Sequence, residues 1–185
     1  MERQKIDIID RIKIVEAQRK DISGIAKVLE GTLKQDFVYG PHDFNENVDY
    51  SFSASLEREH ERVYVAKEND EVVGFAWFMN NPPNNGTAIL EMLAVGKDYQ
   101  RQGIGSYLIN ESSNLFVESQ REAGINLRTL HLTTNLSNQG AQDIYTKAGY
   151  EVAGEIKGFV GDGNVEVVMV KRISDEPCPI EYKTQ

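Results

Sequence analysis

Cysteine occurs once in the 185 residues, as Cys178 between Pro177 and Pro179. One thiol cannot close an internal disulfide, so a reduced, cytoplasmic setting is expected. A lone thiol flanked by prolines in a tail also argues against thiol catalysis. No apolar run approaches the length of a membrane span, and Met1 to Lys5 do not lead into an apolar segment of the secretory kind; neither membrane insertion nor export is expected. Positive charge is in short supply, with 20 Lys and Arg against 29 Asp and Glu and a net charge of −9. A nucleic-acid binder would carry a basic face, so none is expected, whereas the summed field mildly favours a cationic small substrate. Internal repeats and low-complexity runs are absent. No His/Cys/Asp spacing points to a metal, and no Ser/His/Asp arrangement stands out.

The patterning that is present predicts one domain over residues 1–173, followed by a tail at 174–185. Ile12 to Val15 alternates as a first strand. Asp21 and Ser23 offer N-cap chemistry for a helix carrying Ile22, Ile25, Val28 and Leu29 and ending near Gly31. Phe37 to Asn47 reads as irregular and aromatic, and a second helix is expected from Asp49 to Arg62. Val63–Ala66 and Val72–Phe78 form a hairpin across Glu68–Glu71, and Asn80–Gly86 is a turn. A strand over Ala88–Val95 leads to a helix from Ile104 to about Arg121. A strand at Thr129–Thr134 follows, then a helix from Asn138 to Lys147 with Ser137 as its expected cap. Tyr150–Ala153 and Val165–Val170 close the chain as a second hairpin. This order is mixed α/β, with about seven strands, flanking helices and one parallel crossover.

The segment from Leu90 to Ser106 holds the chief functional signal. An apolar strand enters a polar turn, and Gly103 and Gly105 open a helix. Backbone N–H groups and the positive helix end converge there, which suits an anion such as a pyrophosphate; a tight turn without ligand is the alternative. A P-loop would need Gly-Lys-Ser or Gly-Lys-Thr, which is missing. A dinucleotide fingerprint would need a small residue where Leu108 stands, and an acidic ribose ligand ending a second strand, where Glu122 sits in helical sequence.

Gln100-x-x-Gly103-x-Gly105, between an apolar strand and an amphipathic helix, resembles the acyl-CoA signature of the GNAT N-acetyltransferase superfamily. Asn138-x-x-Ala141-x-x-Ile144-Tyr145-x-Lys147-x-Gly149-Tyr150 resembles that superfamily's second signature. The resemblance runs from Ile12 to Arg172. Gly96 and Lys97 stand where members often carry a polar residue and proline, and Gln102 where glycine is common; neither change removes a backbone donor. The resemblance implies acetyl-CoA as cosubstrate and a GNAT fold whose fourth and fifth strands splay apart. It implies that Gln100, Arg101, Gln102, Gly103, Ile104, Gly105 and Ser106 cradle the pyrophosphate. Leu93, Ala94 and Val95 would then present a strand edge to the pantetheine arm, with the thioester oxygen near the Val95 N–H. Asn138 would brace that arm, or simply cap its helix. Lys97 and Arg101 could meet the outer phosphates or remain solvated charges.

Acyl transfer to an amine needs a neutral nucleophile, a donor to the thioester oxygen and a proton for the leaving thiolate. Tyr145 falls on the position of the family's acid, although by pattern alone it belongs to a core stripe with Ala141, Ile144 and Ala148. Glu91 is the candidate base, since alternation places it on one face with Ile89, Leu93 and Val95, where its pKa should rise. An edge-exposed or lysine-paired glutamate fits the same pattern. His131, with Thr129 and Thr133 on its face, is a second candidate base or a structural histidine. Tyr39, Phe44, Asp43, Glu46 and Asp162 could line an acceptor pocket. The expected partner is a small-molecule or peptide primary amine, with a second copy of the chain as the only macromolecular one. The expected function is N-acetyl transfer by direct attack in a ternary complex; a non-catalytic acyl-CoA sensor is the alternative.

Overall fold

The computed structural model describes residues 8–80, 86–159 and 161–174. The expected tail lies, apart from Ser174, outside the described residues, as does most of the Asn80–Gly86 turn. In chain order the elements are β1 (Ile12–Glu16), α1 (Ile22–Thr32), α2 (Phe44–Glu57), β2 (Glu61–Glu68), β3 (Glu71–Met79), β4 (Thr87–Val95), α3 (Ile104–Glu122), β5 (Thr129–Asn135), α4 (Gln139–Lys147), β6 (Glu151–Lys157) and β7 (Val165–Arg172). They build one seven-stranded sheet in the order β1-β2-β3-β4-β5-β7-β6. Only β4 and β5 run parallel, joined by the α3 crossover. The mixed α/β architecture expected from the sequence is the one found.

The sheet lies between two helical layers. On one face, Ile104, Leu108, Ile109 and Phe116 of α3 and Tyr145 of α4 pack on Leu90, Leu130, Leu132 and Met169. On the other, Ile22, Ile25, Val28 and Leu29 of α1 and Val48 and Phe52 of α2 pack on Val63, Val65, Phe75 and Ala94. Aromatic pairs pin each layer. Phe116 stacks on Phe78 with centroids 4.8 Å apart, and Phe52 meets Phe75 edge-on at 5.4 Å.

Three local expectations are corrected. Helix α2 begins at Phe44, five residues before Asp49, because Asp43 and Glu46 form a reciprocal capping box: each carboxylate accepts the other's main-chain N–H at 3.0 Å. Asp21 stands at the start of α1 but does not cap it. Its carboxylate is buried and accepts from Lys67 Nζ at 2.7 Å and from the Gln18 N–H at 3.0 Å, which ties the turn to β2. Helix α4 is capped by Asn138 rather than Ser137: Asn138 Oδ1 accepts from the Ala141 N–H at 3.2 Å. The Ser137 hydroxyl bonds Asn135 Oδ1 instead.

Glycine decides how closely α1 approaches the sheet. A Cβ at Gly24 would lie 2.7 Å from Val72 Cβ, whereas one at Gly140 in α4 would meet nothing within 4 Å. Gly24→Ala is expected to destabilise the fold by about 1–3 kcal/mol through overpacking, and Gly140→Ala to leave it unchanged or raise it by about 1 kcal/mol. Urea denaturation of the two variants measures the contrast; equal stabilities would refute it.

Candidate active site

The site begins with a failure of strand pairing. β4 and β5 pair only at Thr87↔Thr129, Ala88↔Leu130 and Ile89↔His131, although β4 continues to Val95. The two strands splay beyond that point. A bulge sits on the opposite edge of β4 just past that point. Its register with β3 steps from Trp77↔Met92 to Phe78↔Leu90, which leaves Glu91 as an unpaired bulge residue. A bulge bends and twists its strand.

The bulge also swaps faces. Leu90, Leu93 and Val95 pack on the α3 side, while Met92 and Ala94 pack on the α1/α2 side. Glu91 therefore does not share a face with Leu93 and Val95 as strict alternation predicts. Its nearest influential charge is Glu61, which accepts from the Trp77 indole N–H on the α1/α2 side, so Glu91 stands on that face. Glu91 is exposed as a residue, yet partial burial of its carboxyl pushes its pKa up, and the Glu61 carboxylate adds to the shift. Glu61 is itself buried and held by Arg58 at 2.6 Å and by Trp77 Nε1 at 3.0 Å. His131, beside Ile89 in register, stands on the same face, because its neighbours Leu130 and Leu132 fill the α3 side. Burial lowers its pKa, opposed in part by a bond to the Ala88 backbone.

Main-chain groups at the end of β4 face the gap. The Gly96 N–H donates to Val73 O at 2.8 Å, so Gly96 bonds toward β3. In an antiparallel ladder such positions alternate, and the N–H and C=O of Val95 and Leu93 therefore point away from β3. Those of Ala94 are spent in the β3 ladder. Val95 O confirms its direction by accepting from Gln100 Nε2 at 2.9 Å. The Gln100 side chain thus folds the turn back over the strand end, and Gln102 Nε2 braces it by donating to Asp98 O at 2.8 Å.

The turn then passes through two left-handed residues, Arg101 at φ +59° and Gly103 at φ +84°, before α3 starts at Ile104. The main-chain N–H groups of Arg101, Gln102, Gly103, Ile104, Gly105 and Ser106 donate to no protein acceptor among the described residues. Six amides and the positive end of a 19-residue helix meet at this turn. A Cβ at Gly105 would lie 3.5 Å from Ile144 and 3.8 Å from Val95, so this turn, α4 and the end of β4 converge.

Tyr145 follows Ile144 on α4. It is buried in the core on the α3 side, its ring edge-on to Tyr150 with centroids 6.0 Å apart, and burial raises its pKa to about 12. Asn138 Oδ1 is engaged as the α4 cap, which leaves its amide nitrogen for any further partner. The residues proposed for an acceptor pocket fare differently. Asp43 and Glu46 are engaged in the capping box, Phe44 lies under Lys34 Nζ at 5.4 Å, and the Tyr39 hydroxyl meets Ser51 Oγ at 3.2 Å. Asn47, not singled out from the sequence, organises that loop: buried, it donates to Phe37 O at 2.8 Å and Tyr39 O at 3.0 Å. The Asp43-x-x-Glu46 spacing was the signal that could have located it one turn into a helix. Among the described residues no group of three His, Cys, Asp or Glu is placed to hold a metal, and no helix is long and apolar enough to cross a membrane.

Comparison with known proteins agrees with this geometry. Residues 28–150 match the model of the acetyltransferase (GNAT) family. An N-alpha-acetyltransferase of Sulfurisphaera tokodaii is 24% identical over 166 residues, 85% of this chain and 90% of that protein. An L-2,4-diaminobutyric acid acetyltransferase of Shouchella clausii is 29% identical over 101 residues, about half of either chain at 55% and 53%. Among solved structures, a GNAT-family acetyltransferase from Desulfovibrio desulfuricans superposes with a TM-score of 0.70 at 20% identity, covering 88% of this chain and 99% of that one. A spermidine N-acetyltransferase from Vibrio cholerae does so at 0.70 and 14% identity, covering 88% and 94%. The splayed strands, the open amide turn and the family match over most of the fold make this chain a member of the GNAT acetyltransferase family, and an acyltransferase.

Proposed function

We propose that the protein transfers acetyl from acetyl-CoA to a primary amine by direct attack within a ternary complex. The observation that carries this reading is the end of β4–β5 pairing at Ile89↔His131, followed by a turn of free amides that Ile144, the neighbour of Tyr145, approaches at Gly105. The amides of residues 101–106 hold the diphosphate, and the outward N–H and C=O of Leu93 with the N–H of Val95 take the pantetheine arm as a partial added strand. Acetyl-CoA supplies an acyl group activated as a thioester. The relatives' names speak of an N-alpha amine, of diaminobutyric acid and of spermidine, which share an amino group as acceptor.

Each side chain has a defined task. Glu91, on the α1/α2 face, accepts a proton from the incoming ammonium, directly or through water, so that a lone pair is free to attack. Its raised pKa makes it a better base near neutrality than an ordinary glutamate. The Val95 N–H faces the place where the thioester oxygen gains charge. Tyr145 serves the departing sulfur. With its pKa near 12, full proton transfer to a thiolate of pKa about 8.5 lies roughly 4–5 kcal/mol uphill, so the hydroxyl acts first as a hydrogen-bond donor to the growing charge. His131, kept neutral by burial, is the reserve base on the same face.

The primary test is release of free thiol from acetyl-CoA across polyamines, aminoglycosides, amino acids and peptide N-termini, with calorimetry of CoA binding beside it. CoA heat without turnover on any amine would leave a sensor, not an enzyme. Tyr145→Phe is expected to lower kcat on the order of 10–100-fold with little change in CoA affinity, since the hydroxyl is needed as the transition state forms. An unchanged kcat removes Tyr145 from the chemistry.

The pH profile tests the base. Activity requires ionised Glu91, so it falls as pH drops through that residue's raised pKa. Glu91→Gln is expected to move the acidic limb toward higher pH, where the free amine no longer needs the carboxylate. An unmoved limb transfers the role to solvent or His131. His131→Gln then separates these two.

A further inference from the structure

Among the described residues, strand β6 ends the sheet and no strand pairs with its outer edge. Every residue from Glu151 to Lys157 is exposed except Gly154, which is half-buried. Val152 at 61%, Ile156 at 38% and Phe159 at 63% relative exposure place apolar surface along this edge. The direction of its main-chain groups follows from two bonds. Gly158 N–H donates to Asn164 O at 2.8 Å, so Gly158 bonds toward β7; Val165 O accepts from the Leu136 N–H at 2.9 Å, so it turns away from its β6 neighbour Lys157. Both bonds give the same alternation: Ile156 bonds inward, while the N–H and C=O of Glu155 and Lys157 face the open edge.

Side-chain faces follow from the register. Val152 lies opposite Met169 and Glu155 opposite Val167, both on the α3 side of the sheet. The bulge between Val152 and Gly154 therefore leaves Val152 and Ile156 on opposite faces.

A second copy meeting this edge about a two-fold axis has few registers, because outward groups must meet outward groups. Centring the axis on Glu155 or on Lys157 sets each against its own like charge. Centring it on Gly154 opposes Val152 to an Ile156 on the wrong face. Centring it on Ile156 sets Glu155 of one copy against Lys157 of the other, twice, with Ile156 stacked on the axis and Gly154 facing Gly158. Charge on an edge strand ordinarily keeps other strands away; in this one register the charges attract. We propose that the protein forms a symmetric homodimer by antiparallel β6–β6 pairing centred on Ile156, which joins the two sheets edge to edge.

The proposal is independent of the acetyl-transfer reading, and its test reads mass rather than activity. Analytical ultracentrifugation of the full chain at low salt, over about 1–100 µM, is expected to show a dimer. Glu155→Lys and Lys157→Glu each place like charges face to face and are expected to weaken association by about tenfold or more. An equimolar mixture of the two single variants restores complementary pairs and is expected to re-form a dimer. The double variant Glu155→Lys, Lys157→Glu does so alone, so a single variant that folds poorly still leaves a decisive measurement. A wild-type monomer throughout the range overturns the proposal. So does a dimer indifferent to charge reversal, or a mixture and a double variant that both stay dissociated.

Discussion

Backbone hydrogen bonding around β4 governs the molecule. A strand inside a sheet normally spends its N–H and C=O groups on both neighbours, and an unpaired buried amide is costly. β4 obeys this on the β3 side from Met79↔Ile89 to Gly74↔Val95, but on the β5 side only as far as Ile89↔His131. Everything distinctive about the site lies beyond that last pair. Val95 O is taken by Gln100 Nε2, while the edge groups of Leu93, the Val95 N–H and the amides of the turn point away from β3 or have no partner among the described residues. The bulge at Glu91 lies just past the last β4–β5 pair, and its one extra residue turns a carboxylate to the opposite face.

Such an opening persists only if the surroundings are stiff. The Phe78–Phe116 stack fixes α3 on β3, and the close approach of Gly24 to Val72 fixes α1 from the other side. Both helices press on β3, the strand that holds β4 in place while β5 departs. Charge is arranged with similar economy. Glu61 is neutralised in place by Arg58 and the Trp77 indole, and it still biases its neighbour Glu91 toward holding a proton. Tyr145 feels no comparable charge. Burial alone raises its pKa.

Legibility from the sequence followed the range of the forces involved. Period-two and period-3.6 patterns located every strand and helix, and the Gln100 to Gly105 turn together with the Asn138 to Tyr150 segment pointed to the family. Boundaries failed where a polar side chain had several partners to choose from. Asp21 looked like a cap and became half of a buried ion pair, because Lys67, 46 positions away, lay within 2.7 Å. Ser137 and Asn138 were equivalent as caps on paper, and the Asn135 side chain took the serine hydroxyl. Asp43 and Glu46, expected as pocket acids, form the capping box of α2, and Glu46 with Tyr39 also lines a surface cavity beside that helix.

The amino-acid order alone determined the element sequence, the parallel crossover and the glycine turn before α3, since these depend on propensities and spacings within a few residues. Tertiary structure decided the face of Glu91, the gap beside Val95, the burial that raises the Tyr145 pKa and the bare edge of β6. A bulge is invisible in a one-dimensional pattern, because it is a mismatch between two strands rather than a property of either. Burial and edge position likewise exist only once distant segments have packed, and in this protein they set where a proton is held and which backbone groups remain unpaired.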